Sequence, residues 1–160
     1  MANTRYLTTV VENEVREFLS ARHGVAFTKQ PLQLISGGRH EFDAVSDDRS
    51  TIASIKSASG RTAGGKIPSG KIKDCIAEIY FLTLVDAPCR ILVLTSPQFH
   101  ALFTHTMAGK IAQGITVEHL PLPDEIQAQV DAVQRAASIE VFPVLDAREA
   151  AVAESSPGAP

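Results

Sequence analysis

The chain lacks the marks of several function classes. Its two cysteines, Cys75 and Cys89, sit apart in apolar segments and make no metal-ligand spacing. They read as reduced core residues of a cytoplasmic protein. HEFDA (40–44) has no second histidine four residues on, and His100 and His105 are five apart, off a common helix face, so a zinc site is not expected. There is no G-x-S-x-G, and neither cysteine has a local base, which removes the usual nucleophile signatures. No run of roughly 18 apolar residues exists to span a membrane. The opening MANTRYLTTVVENEV lacks the charged and then apolar order of a secretory signal. Nor is there an overall excess of positive charge: the net charge is -3, which argues against a generic nucleic-acid binder.

What is present is enough for one domain with a real core, since 44% of the 160 residues are hydrophobic. We expect that domain over 1–145 and a small, polar, flexible tail over 146–160. The charge is unevenly spread. Residues 1–75 hold 11 Lys and Arg against 8 Asp and Glu, and residues 76–160 hold 4 against 10. The basic side chains thus gather in the first half, as a local basic face would require.

Hydrophobic spacing predicts a first helix over 5–22, with Leu7, Val11, Val15 and Phe18 inward. Extended segments follow at 25–35, 40–46 and 51–57, then a glycine-rich loop over 59–70. A second helix is expected over 70–85, capped by Ser69, with Ile72, Ile76, Ile79 and Leu82 or Leu84 inward. CRILVLT (89–95) is a continuous apolar run, as for a strand buried on both faces. Ser96-Pro97 starts a helix to about 108, 115–122 is a strand, and Asp124 and Glu125 open a last helix to about 137. This order predicts an α/β (α+β) domain, a mixed β-sheet of about five strands flanked by helices.

The segment EFDAVSDDRSTIASIKS (41–57) concentrates the chemistry. Strand side chains alternate between faces. Asp43 and Val45 should share one face of the first strand, and Ile52, Ser54 and Lys56 one face of the second. If Asp47-Asp48-Arg49-Ser50 turns symmetrically, partner numbers add to 97, placing Asp43 opposite Ser54 and Glu41 opposite Lys56. A solvated ribbon with one weak ion pair would account for this much. The first helix adds to it. Glu14 falls within the apolar stripe while Glu12 and Glu17 fall off it, and a carboxylate there needs a partner or a cation.

Here the sequence resembles the PD-(D/E)XK nuclease superfamily, whose restriction-endonuclease-like core is a helix, a three-strand meander, a helix and a strand. The resemblance covers roughly 5–122. It implies an acid on the second strand (Asp43), an acid-x-lysine on the third ending at Lys56, and a glutamate from the first helix (Glu14). Phe42 stands where the family name has proline. Ser54 stands where the third-strand acid belongs. Some restriction enzymes of this superfamily also have serine there, and an acid from the following helix reaches the metal. That role would fall to Asp74 or Glu78, four apart on one helix face.

The resemblance implies a Mg²⁺-dependent (or Mn²⁺-dependent) DNA endonuclease hydrolysing phosphodiester bonds. Asp43, Lys56, Ser54 and Glu14 would form the catalytic set, and Asp43, Glu14, Glu78 and Asp74 the metal ligands. Carboxylate oxygens suit Mg²⁺, which activates water and clamps phosphate oxygens. Arg61, Lys66, Lys71 and Lys73 would contact phosphates, and a homodimer would cut two strands. The alternative is an inactive nuclease-fold protein acting as a nucleic-acid-binding or assembly subunit. GRTAGGK (60–66) also matches the start of a P-loop. Ile67 then replaces the Mg²⁺-holding hydroxyl and Pro68 follows, which speaks against nucleotide binding.

Overall fold

A computed structural model describes residues 2–60 and 64–137 of the chain. The expected tail and Arg61 lie outside the described residues. The elements are α1 (Ala2–His23), β1 (Phe27–Gln33), β2 (Arg39–Ser46), β3 (Thr51–Lys56), α2 (Ser69–Thr83), β4 (Cys89–Leu94), α3 (Pro97–Thr106) and β5 (Ile115–His119). A fourth helix, α4, covers 124–137. The domain is α+β, with a five-stranded mixed sheet in the order β1-β2-β3-β4-β5. The first three strands are antiparallel neighbours joined by short turns. β4 and β5 run parallel to β3, which requires crossover connections, and α2 and α3 supply them.

β4 explains the two-layered core. Its alternation sends Leu92 and Leu94 to one side, with Phe42, Val45 and Ile52, against Ile79 and Leu82 of α2 and Phe99 and Phe103 of α3. Ile91 and Val93 go to the other side, with Ala44, Ala53 and Ile55, against α1 and Val130 of α4. Both faces of β4 are covered, so its apolar run is continuous.

Two helix phases differ from the sequence reading. Leu19, fully buried, takes the place assigned to Phe18, which is 49% exposed and holds the Arg22 guanidinium over its ring. On α2 the buried set is Ile72, Cys75, Ile79 and Leu82, while Ile76 is 40% exposed. The N-cap of α2 is Pro68, without a side-chain cap bond. Ser96 does cap α3, accepting from the Phe99 N–H.

The β2–β3 hairpin has the expected register: Ala44 pairs with Ala53 and Val45 with Ile52. Asp48 shapes its turn. One carboxylate oxygen accepts from the Ser46 hydroxyl and from the Ser50 N–H and hydroxyl, which lowers its pKa to about 2. Arg49 takes a left-handed conformation at φ 56°. Beyond Ala44 the alternation fails. Thr28 pairs with Val45 but Gln30 pairs with Phe42, so Asp43 and Ala44 together oppose Lys29 in a β-bulge. Phe42 and Ala44, which strict alternation would put on one face, therefore join opposite cores.

Candidate functional site

The bulge creates the site. It frees the Asp43 carbonyl from the ladder, and the Arg16 guanidinium of α1 donates to it. It also turns the Asp43 side chain toward β3, where the carboxylate accepts from the Ile55 N–H at 2.8 Å. A side chain thus takes a hydrogen bond that a regular ladder would give to backbone. The pairing of Asp43 with Ser54 expected from the register is replaced by this contact. Burial pushes the Asp43 carboxyl up. The Ile55 N–H pulls it back, the Glu12 carboxylate pushes it further up, and Lys56 and Lys29 offset only part, so the net shift is upward.

Glu12 is the carboxylate that α1 contributes. It is 8% exposed, bound to Lys29 at 3.3 Å and Arg16 at 3.5 Å. The sequence reading placed Glu12 toward solvent and Glu14 on the stripe. Exchanging Phe18 for Leu19 rotates the buried face toward Glu12. Glu14 instead lines a separate groove with Phe18 and Leu120. Lys29, opposite the bulge, gathers the acids: its ammonium is also 3.6 Å from Glu41 and 3.6 Å from Asp43. Burial lowers the Lys29 pKa, but Glu12, Asp43 and Glu41 outweigh it and the net is raised. Glu41 thus pairs with Lys29, where the register had set it opposite Lys56.

Lys56 closes β3 and pairs with α2. Its ammonium donates to Glu78 at 2.8 Å, and the fully buried Ser54 hydroxyl donates to the other Glu78 oxygen at 3.0 Å. His40 Nε2 lies 3.3 Å from that same oxygen, its ring stacked on Phe81 with centroids 3.9 Å apart. Burial raises the Glu78 pKa. The bond from Lys56, its charge, and the Ser54 and His40 bonds reverse this, leaving it lowered. Burial would lower the Lys56 pKa, and Glu78 and Asp43 raise it overall.

Glu12, Asp43 and Lys56 border a cleft of about 450 Å³, lined also by Lys71 and Asp74 and by Val130 and Val133 of α4. Cys75 also faces it, its thiol pushed up to about 12 by burial. Of the residues expected at the site, Asp43, Lys56, Lys71 and Asp74 share this cleft. Ser54 and Glu78 sit beside Lys56, and Glu14 is elsewhere. Lys66, Lys71 and Lys73 are exposed.

Sequence reasoning missed Glu12, Arg16, Lys29 and His40. The Glu12–Arg16 spacing of four was a usable signal. Nothing local in the sequence announces the bulge that brings Lys29 in.

Among the described residues, no group of three or more His, Cys, Asp and Glu side chains converges as a ready metal-ligand set. Mg²⁺ needs less than that, because one or two carboxylates suffice when waters and substrate phosphates complete its shell. Asp43 and Glu12 would supply hard oxygen donors of that kind, and both face the Lys29 ammonium. No family model matches the chain, and no curated protein or solved structure matches it either.

Proposed function

We propose that this protein is a cytoplasmic, Mg²⁺-dependent DNA endonuclease of the PD-(D/E)XK class. The observation that carries the reading is the position of Glu78. Its carboxylate, from the helix after β3, is hydrogen-bonded to both Ser54 and Lys56. An acid thus stands beside the position where Ser54 replaces the third-strand acid. Asp43 and Glu12 would hold the metal, with Glu78 hydrogen-bonded to Lys56 next to them. The bound metal would supply a Lewis acid for the phosphate oxygens.

The chain's own residues have distinct tasks. Asp43 keeps an incompletely compensated carboxylate at the cleft. Lys56 presents a cation for the phosphate or its attacking water. Ser54 orients Glu78, and Asp74 with Lys71 borders the substrate's path.

The test is plasmid digestion with Mg²⁺ and Mn²⁺. Asp43→Ala and Lys56→Ala should each lower the rate at least about 10²-fold, and Glu78→Gln should also lower it. Cleavage that survives both Asp43→Ala and Lys56→Ala removes this site from consideration.

One observation supports a second reading, a non-catalytic nucleic-acid-binding or assembly subunit. Glu12, Asp43 and Glu78 each already face a resident ammonium. That reading expects no cleavage with any metal, salt-sensitive DNA binding, and activity only on restoring the acid with Ser54→Glu.

A further inference from the structure

A second cleft, of about 520 Å³, lies between the ends of β3 and β4, the start of α3 and α4. It adjoins the cleft of Asp43 and Lys56 across Ser57, Val130 and Gln134, where the Gln134 amide donates to the Ser57 carbonyl at 2.9 Å. Their chemistry differs. Lys56 and Lys71 border the first. Among the described residues, no lysine or arginine lines the second, and its only carboxylate is Asp131. A phosphate is poorly served there.

The walls instead offer neutral hydrogen-bonding groups: Gln98 and Gln127 with Ser57 and Thr95, over apolar Leu102 and Val130. The Gln127 amide donates to Asp131 at 2.8 Å, and the Ser96 hydroxyl donates to the Gln98 carbonyl at 3.3 Å. Each bond orients a carboxamide, which carries two donors and an acceptor and is not exhausted by one partner. Gly60 lets the loop after β3 close one wall. A Cβ at Gly60 would lie 2.7 Å from the Gln98 Cβ and 2.9 Å from its carbonyl carbon.

Resting on the nuclease reading, we infer that this second cleft binds one unpaired nucleobase of the substrate strand, next to the phosphate held at Lys56. The ligand class follows from the lining. A flat, neutral heterocycle with donors and acceptors on its edge matches carboxamides, hydroxyls and a carboxylate over an apolar floor. The preferred substrate is therefore DNA with a single-stranded or frayed nucleotide at the cut, because a stacked base pair keeps the base's edge and face engaged.

The experiment uses the Asp43→Ala chain, to hold substrate without turnover, and fluorescence anisotropy with labelled single-stranded oligonucleotides. One abasic residue is walked along the strand. Binding should weaken about tenfold with the abasic residue at one position, and the bases elsewhere should matter little. That position-specific loss should vanish in Asp43→Ala chains that also carry Gln98→Ala and Gln127→Ala, with the salt dependence of binding unchanged. In otherwise wild-type enzyme, Gly60→Ala should reduce the preference for frayed over fully paired DNA. Equal binding at every abasic position, with cleavage by wild type intact, overturns the base subsite and leaves the nuclease reading standing. So does a position-specific loss that persists without the two glutamines. Absence of both cleavage and oligonucleotide binding in wild type overturns the nuclease reading, and this inference with it.

Discussion

Two acids beside the hairpin, Asp43 and Glu78, respond oppositely to their surroundings. Asp43 is raised, by burial first and then by Glu12. The folded state therefore holds its proton more tightly than the unfolded chain does. Stability falls as pH rises from the ordinary carboxylate value through the raised one, and the cost is complete above it. Asp43→Asn keeps an acceptor for the Ile55 N–H and removes the charge. It should raise stability at pH 7 by about 0.5–2 kcal/mol in urea denaturation, with the gain gone near pH 3. Glu78 is lowered because the Lys56, Ser54 and His40 contacts exceed the burial cost. Its contribution is present above its unfolded value and lost as pH falls through the folded one. Glu78→Gln should therefore destabilise at pH 7. The cost should be about 1–2 kcal/mol, since Lys56 is partly exposed and water screens the orphaned ammonium. Equal signs for the two substitutions would contradict the geometry around Lys56.

At the scale of elements, the decisive facts are a helix phase and a bulge. Phe18 and Leu19 are adjacent and equally apolar, so spacing does not choose between them. Packing against the sheet does. Leu19→Ala should cost about 2–5 kcal/mol, as for a fully buried leucine. Phe18→Ala should cost about 1 kcal/mol or less, its ring losing mainly the Arg22 contact. Thermal melts of the two variants test the phase directly. The same rotation makes Glu12 the carboxylate at the cleft, and Lys29 follows because the β2 bulge sets it opposite Asp43.

For the whole molecule, the separation of charge matters most. Lys71 borders the Asp43 cleft and Lys73 is exposed on the same helix, while α4 brings Asp131 to a second cleft with no lysine or arginine among its described lining residues. On the proposed nuclease reading, DNA affinity should fall linearly in log–log form with salt, at about -0.9 per phosphate neutralised on duplex DNA. Replacing Lys71 and Lys73 by alanine should reduce that slope by about 2 and weaken binding without regard to sequence. Filter binding across a salt series measures both. Among the described residues no helix is long and apolar enough to cross a membrane.

The order of elements, the β4 run buried on both sides, the cap at Ser96 and the hairpin register at Ala44 and Val45 were all legible in the sequence. Each rests on local chemistry: alternation, a proline at a helix start, a symmetric turn. Asp43 and Lys56 were legible as candidates for the same reason, being a fixed offset from that turn. Tertiary structure alone decided which carboxylates meet. Glu12 replaced Glu14 at the cleft when Leu19 and not Phe18 packed inward. Glu78, and not Asp74, reached Ser54 because α2 buries Cys75 and leaves Ile76 outside. Asp43 left the ladder because one extra residue in β2 broke the period of two. Periodicity names the face of an element, but only packing sets its rotation to within one residue, and the site depends on that rotation.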